Sequence, residues 1–85
     1  MLGILLAAIK NPMNRYDFFT VFQENLDGSL TPRMPITVNG VTFGQTISFR
    51  PGVSFGGVDF HRYRGQAILG EESNGVLIVR GFFNN

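Results

Sequence analysis

Asn39-Gly40, set between Ile36-Thr37-Val38 and Val41-Thr42-Phe43, is the strongest local signal in the chain. Both central residues of a two-residue type I′ reversal need positive φ, and Asn-Gly between alternating apolar residues supplies them. The same logic reads residues 66–83 as a second hairpin around Ser73-Asn74-Gly75. Further reversals are expected at Leu26-Asp27-Gly28-Ser29 and around Arg50-Pro51-Gly52. If the second turn starts at Phe49, type I fits; starting at Arg50 puts Gly52 third, as type II requires.

Between these reversals the chain is rich in aromatic and β-branched residues. Residues 16–23 and 58–63 read as strands. On the first hairpin, alternation places Val41, Phe43, Ile47 and Phe49 on one face, with Gln45 as a polar exception, and Thr42, Gly44, Thr46 and Ser48 on the other. Val41-Thr42-Phe43-Gly44-Gln45 is echoed by Val53-Ser54-Phe55-Gly56-Gly57. An echo so short is not a solenoid or propeller repeat. It predicts two strands laying Val and Phe onto one core, with Gly56-Gly57 permitting a bulge or bend. Pro32 and Pro35 cannot donate to a central ladder, so residues 32–35 should be an edge or an irregular lead-in. The run Val76-Leu77-Ile78-Val79 is apolar on both faces and should be central or covered.

The fold expectation is mainly β, a small antiparallel, strongly bent sheet or barrel of about six strands, preceded by one short helix. That helix would span residues 2–9 and end at Asn11-Pro12. The apolar start has no basic residue before it and no small-x-small site after it, so it does not read as a signal peptide. It is shorter than the roughly 20 residues a membrane span needs, and it lacks the cationic face of a surface anchor. Packing on the domain or on a partner chain is the expectation.

With 85 residues there is room for one domain, spanning residues 1–85. A chain this short buries a smaller fraction of its surface than larger domains do, and small proteins usually add disulfides, a metal or a partner chain. Cysteine is absent, which removes disulfides and thiolate metal sites and fits a reducing cytoplasm, the expected compartment. Hydrophobic residues make up 44% and charged residues only 15%, and nine Phe are present. The core of so small a chain should leave some of that aromatic surface uncovered, so self-association is expected, with a dimer favoured. A net charge of +1 supplies no strong field toward nucleic acid or anionic lipid.

The only histidine lies in Asp59-Phe60-His61-Arg62-Tyr63-Arg64. A strand would align Asp59, His61 and Tyr63 on one face and Phe60, Arg62 and Arg64 on the other. Asp59, His61, Arg62, Tyr63 and Arg64 form the candidate ligand patch. An Asp beside His61 can tune its tautomer for base catalysis, but the same residues also make an ordinary polar cluster on a solvated sheet face. No nucleophile is nominated, so a small enzyme using His61 is a minor alternative. A metal would need the fold to bring Asp59, His61, Glu71 and Glu72 together, because no ligand-spacing motif is present. Neither a phosphate loop nor a cofactor motif is found, and no cofactor is expected.

Arg50, Arg62 and Arg64 near Phe49, Phe55, Phe60 and Tyr63 suggest how a single strand of nucleic acid could be stacked and neutralised, although the weak charge does not favour it. Residues 36–49 also resemble the first hairpin of Sm-like RNA-binding proteins, at Asn39, Gly40, Gly44, Ser48 and Phe49. That resemblance implies RNA contacts around Asn39 and Gly40 and a ring oligomer. It departs from the family where residues 16–35 look like an extra hairpin in place of a helix, and no second motif follows near the C-terminus. The preferred reading is therefore a small self-associating binding or interaction module, with the Sm-like nucleic-acid binder as the alternative.

Overall fold

The computed structural model describes residues 13–84, so the expected helix over residues 2–9 lies outside the described residues. The elements are β1 (Asn14–Asp17), a single helical turn α1 (Phe18–Val21), β2 (Phe22–Glu24), β3 (Leu30–Pro32), β4 (Ile36–Val38), β5 (Val41–Phe43), a 3₁₀ turn (Phe60–Tyr63), β6 (Ala67–Ser73) and β7 (Val76–Phe83). Five strands form one sheet in the order β1-β6-β7-β4-β5, and β2 pairs with β3 in a separate two-stranded sheet.

The mainly β expectation holds, but the barrel and the purely antiparallel sheet do not. β1 and β5 remain edges of the larger sheet, so it is open. β4 and β7 run parallel, Thr37 opposite Ile78. The reason lies in the two hairpins. Each tight reversal makes its own antiparallel pair, and these pairs, β4–β5 and β6–β7, then join through β4 and β7 in a direction that neither turn dictates.

Both Asn-Gly reversals form as expected. Asn39 and Gly40 have φ of 50° and 82°, and Asn74 and Gly75 have 54° and 79°. β7 is the middle strand, with Leu77 and Val79 buried on one face and Val76 and Ile78 half-buried on the other. The reversal after Phe49 takes the later frame, Val53 N–H donating to the Arg50 carbonyl at 3.3 Å with positive φ at Gly52, as in type II. Pro32 ends β3 in the small sheet, and Pro35 immediately precedes β4.

Two expected strands are replaced by tighter structure. The strand expected over residues 16–23 survives only at its ends, in β1 and β2, and the backbone winds through α1 between them. A strand would send Val21 to the face opposite Phe18 and Phe22. One helical turn buries all three. Residues 58–63 were also expected as a strand, but Asp59 caps the 3₁₀ turn, its Oδ1 accepting from the His61 N–H at 3.1 Å. A short polar side chain that satisfies a backbone donor two residues on competes with any ladder.

Phe18, Phe22, Phe49 and Phe60 are buried in one core cluster with Val21, Leu30, Ile36 and Leu77. Ring centroids lie 5.1 Å apart for Phe22–Phe60, 4.8 Å for Phe49–Phe60 and 4.5 Å for Phe49–Phe55. Four of the nine Phe are thus absorbed in the core, while Phe19 is 43% exposed and the others are partly covered. Phe82 packs on Phe60 and stacks on Tyr63. The sequence echo is half structural: Phe43 and Phe55 both contact Phe49, whereas Val41 and Val53 are each 45% exposed.

Gly40 and Gly70 are required for different reasons. A Cβ on Gly40 would meet nothing within 4 Å, but φ of 82° strains any L side chain. At Gly70 the register of β6 against β7 shifts, and a Cβ would lie 2.7 Å from the Ile78 carbonyl oxygen and 2.9 Å from Leu77 Cδ1. Chemical denaturation should therefore find Gly40→Val destabilised by at least about 1 kcal/mol through strain, and Gly70→Ala by about 1–3 kcal/mol through overpacking. Parental midpoints in either variant would refute the corresponding account.

Candidate functional site

The patch nominated from sequence does not converge on one face. Within the 3₁₀ turn Phe60 enters the core, and the residues around it leave in different directions. The Asp59 carboxylate accepts the backbone N–H of His61. His61 Nε2 lies 2.7 Å from the Phe49 carbonyl oxygen. A carbonyl only accepts, so Nε2 carries the proton of this bond. Tyr63 stacks on Phe82 at 4.2 Å with 9° between the rings. Arg62 is exposed. The Asp–His pairing considered for base catalysis is thus a backbone cap, and the imidazole's described bond is a structural one.

Arg64 leads elsewhere. Its Nη2 is 2.8 Å from Glu24 Oε2, and its guanidinium lies 5.7 Å from the centroid of Phe19. Phe19 is 43% exposed, because the turn that directs Phe18 and Val21 inward points the residue between them outward. Arg33 donates from Nε to the Phe19 backbone carbonyl at 3.0 Å, while the Arg33 N–H donates to the Val21 carbonyl at 2.7 Å. Phe19 and Arg33, with Asp17, Thr20 and Gly65, line a shallow open groove of about 700 Å³, and Arg64 adjoins it through the Phe19 ring.

This groove offers an exposed apolar ring with the Arg64 guanidinium over it and the Arg33 guanidinium bonded to the Phe19 backbone, with one carboxylate and one hydroxyl at its rim. A phenyl face under a cation is an attractive arrangement at the surface, worth about 0.5–1 kcal/mol. Both arginines have a hydrogen-bonding role that holds the stem in place while leaving further N–H groups on the fork. Sequence reading missed Phe19 and Arg33. A signal existed: Phe18-Phe19 are adjacent, and neither a strand nor a single helical turn sends neighbouring side chains the same way, so one phenyl had to face outward.

A second groove, between β2–β3 and the segment after β5, is polar but closed upon itself. Asn25 Nδ2 donates to Ser29 Oγ at 3.0 Å and to Thr31 Oγ1 at 2.9 Å. Ser29 donates from both its hydroxyl and its N–H to Asp27 Oδ1, at 2.6 and 3.0 Å, and these bonds hold the Asp27 carboxyl below its ordinary pKa. The groups satisfy one another and stiffen the turn at Gly28. Glu71 pairs with Arg80, and the Tyr16 hydroxyl donates to Glu72 at 2.8 Å, so neither carboxylate joins His61. Among the described residues no group of three or more His, Asp or Glu is placed to hold a metal ion.

The nucleic-acid and Sm-like expectations meet the same geometry. Phe49 and Phe60 are fully buried and present no face for a base. At the hairpin tip the Asn39 side-chain amide donates to the Gly56 carbonyl at 2.8 Å. Comparison with protein-family models, curated proteins and solved structures gave no significant match. Among the described residues no helix is long and apolar enough to cross a membrane.

His61→Ala should lower the unfolding free energy by about 0.5–1.5 kcal/mol, the usual net worth of one hydrogen bond. His61→Gln, which can still donate, should lose less. Denaturation curves for both variants that overlay the parent would show that the bond to Phe49 does not hold the 3₁₀ turn.

Proposed function

We propose that this protein is a small cytoplasmic interaction module that self-associates as a homodimer and binds an acidic peptide segment bearing an apolar side chain. The observation that supports the ligand class is Phe19, an exposed ring with the Arg64 guanidinium over it and Arg33 bonded to its backbone carbonyl. A ligand carboxylate suits a guanidinium fork, which takes it through two parallel N–H bonds. An apolar ligand side chain covers the phenyl ring, and Asp17 can accept a backbone N–H of the peptide. Of the residues first nominated as a patch, Arg64 belongs to this site; Asp59, His61 and Tyr63 support it from behind by fixing the 3₁₀ turn.

A peptide fits better than a nucleic acid for two reasons. The groove displays one ring rather than the row of rings along which successive bases stack, and Asp17 opposes a phosphate chain. The overall charge of +1 adds no compensating field. A catalytic reading has no support in the site, which holds no nucleophile beside a base.

The test is an amide chemical-shift titration with a capped Glu-Glu-Phe-Leu peptide, a Lys-Lys-Phe-Leu control and oligo-dT. Saturable shifts centred on Thr20, Arg33 and Gly65 are expected with the acidic peptide alone, and Phe19→Ala or Arg33→Ala should weaken them by roughly tenfold, the equivalent of about 1.4 kcal/mol. Shifts from oligo-dT that collapse with salt would move the reading to nucleic acid. No response at the groove to the acidic peptide would overturn the proposal.

A further inference from the structure

Among the described residues β5 is a free edge of the five-stranded sheet, and shortness is the one protective feature that its three residues have. Natural edges are blunted by short strands, lysine, proline, bulges or covering segments. Val41–Phe43 contains neither charge nor proline, and residues 36–49 as a whole carry no charged side chain. The opposite edge differs, since β1 carries Arg15 and Asp17.

The hydrogen-bond phase of the edge follows from the hairpin. Val38 and Val41 flank the two-residue turn and exchange both backbone bonds, as do Ile36 and Phe43 one step further on. Thr42, opposite Thr37, is therefore the residue whose N–H and C=O point away from β4. Its side chain is held on the outer face by a 2.8 Å bond between the Thr37 and Thr42 hydroxyls. Both Thr42 and Val41 are exposed.

We infer that a second copy of this chain docks here, its β5 antiparallel to the first across a two-fold axis at Thr42. In that register each Thr42 N–H donates to the carbonyl of its counterpart, and Val41 faces Phe43 across the axis on the core side. The pairing is self-complementary: the same three residues serve both copies, and no like charges meet. It also closes, because the two β5 edges consume one another and only the charged β1 edges remain. The result is one continuous ten-stranded sheet, twice the five strands of a single chain. This inference rests on the self-association in the functional reading and adds the surface and register through which it occurs.

The full-length chain is tested by sedimentation over a concentration series, with backbone amide spectra to confirm folding. The parent should pass from monomer to dimer as concentration rises, with the Thr42 amide gaining protection from exchange. Thr42→Pro removes the outward donor without touching a β4 bond, and proline is tolerated where a strand's N–H faces solvent. Thr42→Lys brings two ammonium groups together at the axis. Folded Thr42→Lys should remain monomeric at concentrations where the parent is dimeric and regain association at high salt, and folded Thr42→Pro should remain monomeric throughout. If Thr42→Pro unfolds, Thr42→Lys decides. A dimer that survives in a folded variant overturns the β5 interface while leaving self-association standing. A parent that is monomeric at every concentration overturns both.

Discussion

Phe49 joins parts of the molecule that are otherwise only neighbours. Its N–H and carbonyl exchange bonds with Leu30, which ties it to the small β2–β3 sheet. The same carbonyl accepts from His61 Nε2 and so anchors the 3₁₀ turn. Its ring contacts Phe22 from the small sheet, Phe43 from the large sheet, and Phe55 and Phe60 from the connection between β5 and β6. A fully buried aromatic that touches so many rings, with both carbonyl lone pairs engaged, stabilises relative positions rather than any single element. A chain with no cysteine depends on such a junction to hold its two sheets together.

The groove at Phe19 follows from that junction. Phe18, Val21 and Phe22 all turn inward to meet the aromatic cluster, and only a helical turn lets residues so close in sequence do so. The turn leaves Phe19 on the outside. Arg33 reaches its carbonyl from just beyond β3, and Arg64 comes from the end of the 3₁₀ turn that His61 holds in place. The candidate site is therefore assembled from three separated stretches of chain, each positioned by packing on the other side of the backbone. His61 contributes to it as an anchor, which accounts for a lone histidine beside an aspartate without invoking proton transfer.

Local signals were legible where one or two residues decide the backbone. Asn39-Gly40 and Asn74-Gly75 demanded positive φ and obtained it. The unbroken apolar run from Val76 to Val79 indicated a strand with neighbours on both sides, and β7 is the middle strand. Composition carried less far. Nine Phe suggested that some aromatic surface would stay uncovered; four are buried in the core, where rings pack against each other, and Phe19 is exposed, but nothing in composition says which.

What the sequence determined by itself was the set of reversals, the mainly β character and the outward fate of one member of Phe18-Phe19, because backbone sterics and side-chain alternation act within a few residues. Tertiary structure decided the parallel join of β4 to β7, the winding of residues 18–21 and 60–63 into turns, and the meeting of Phe19, Arg33 and Arg64. Those outcomes depend on which distant side chains share the core. Burial of Phe18, Val21, Phe22 and Phe60 around Phe49 outweighs the strand preference of the segments that carry them, and no local pattern contains that balance.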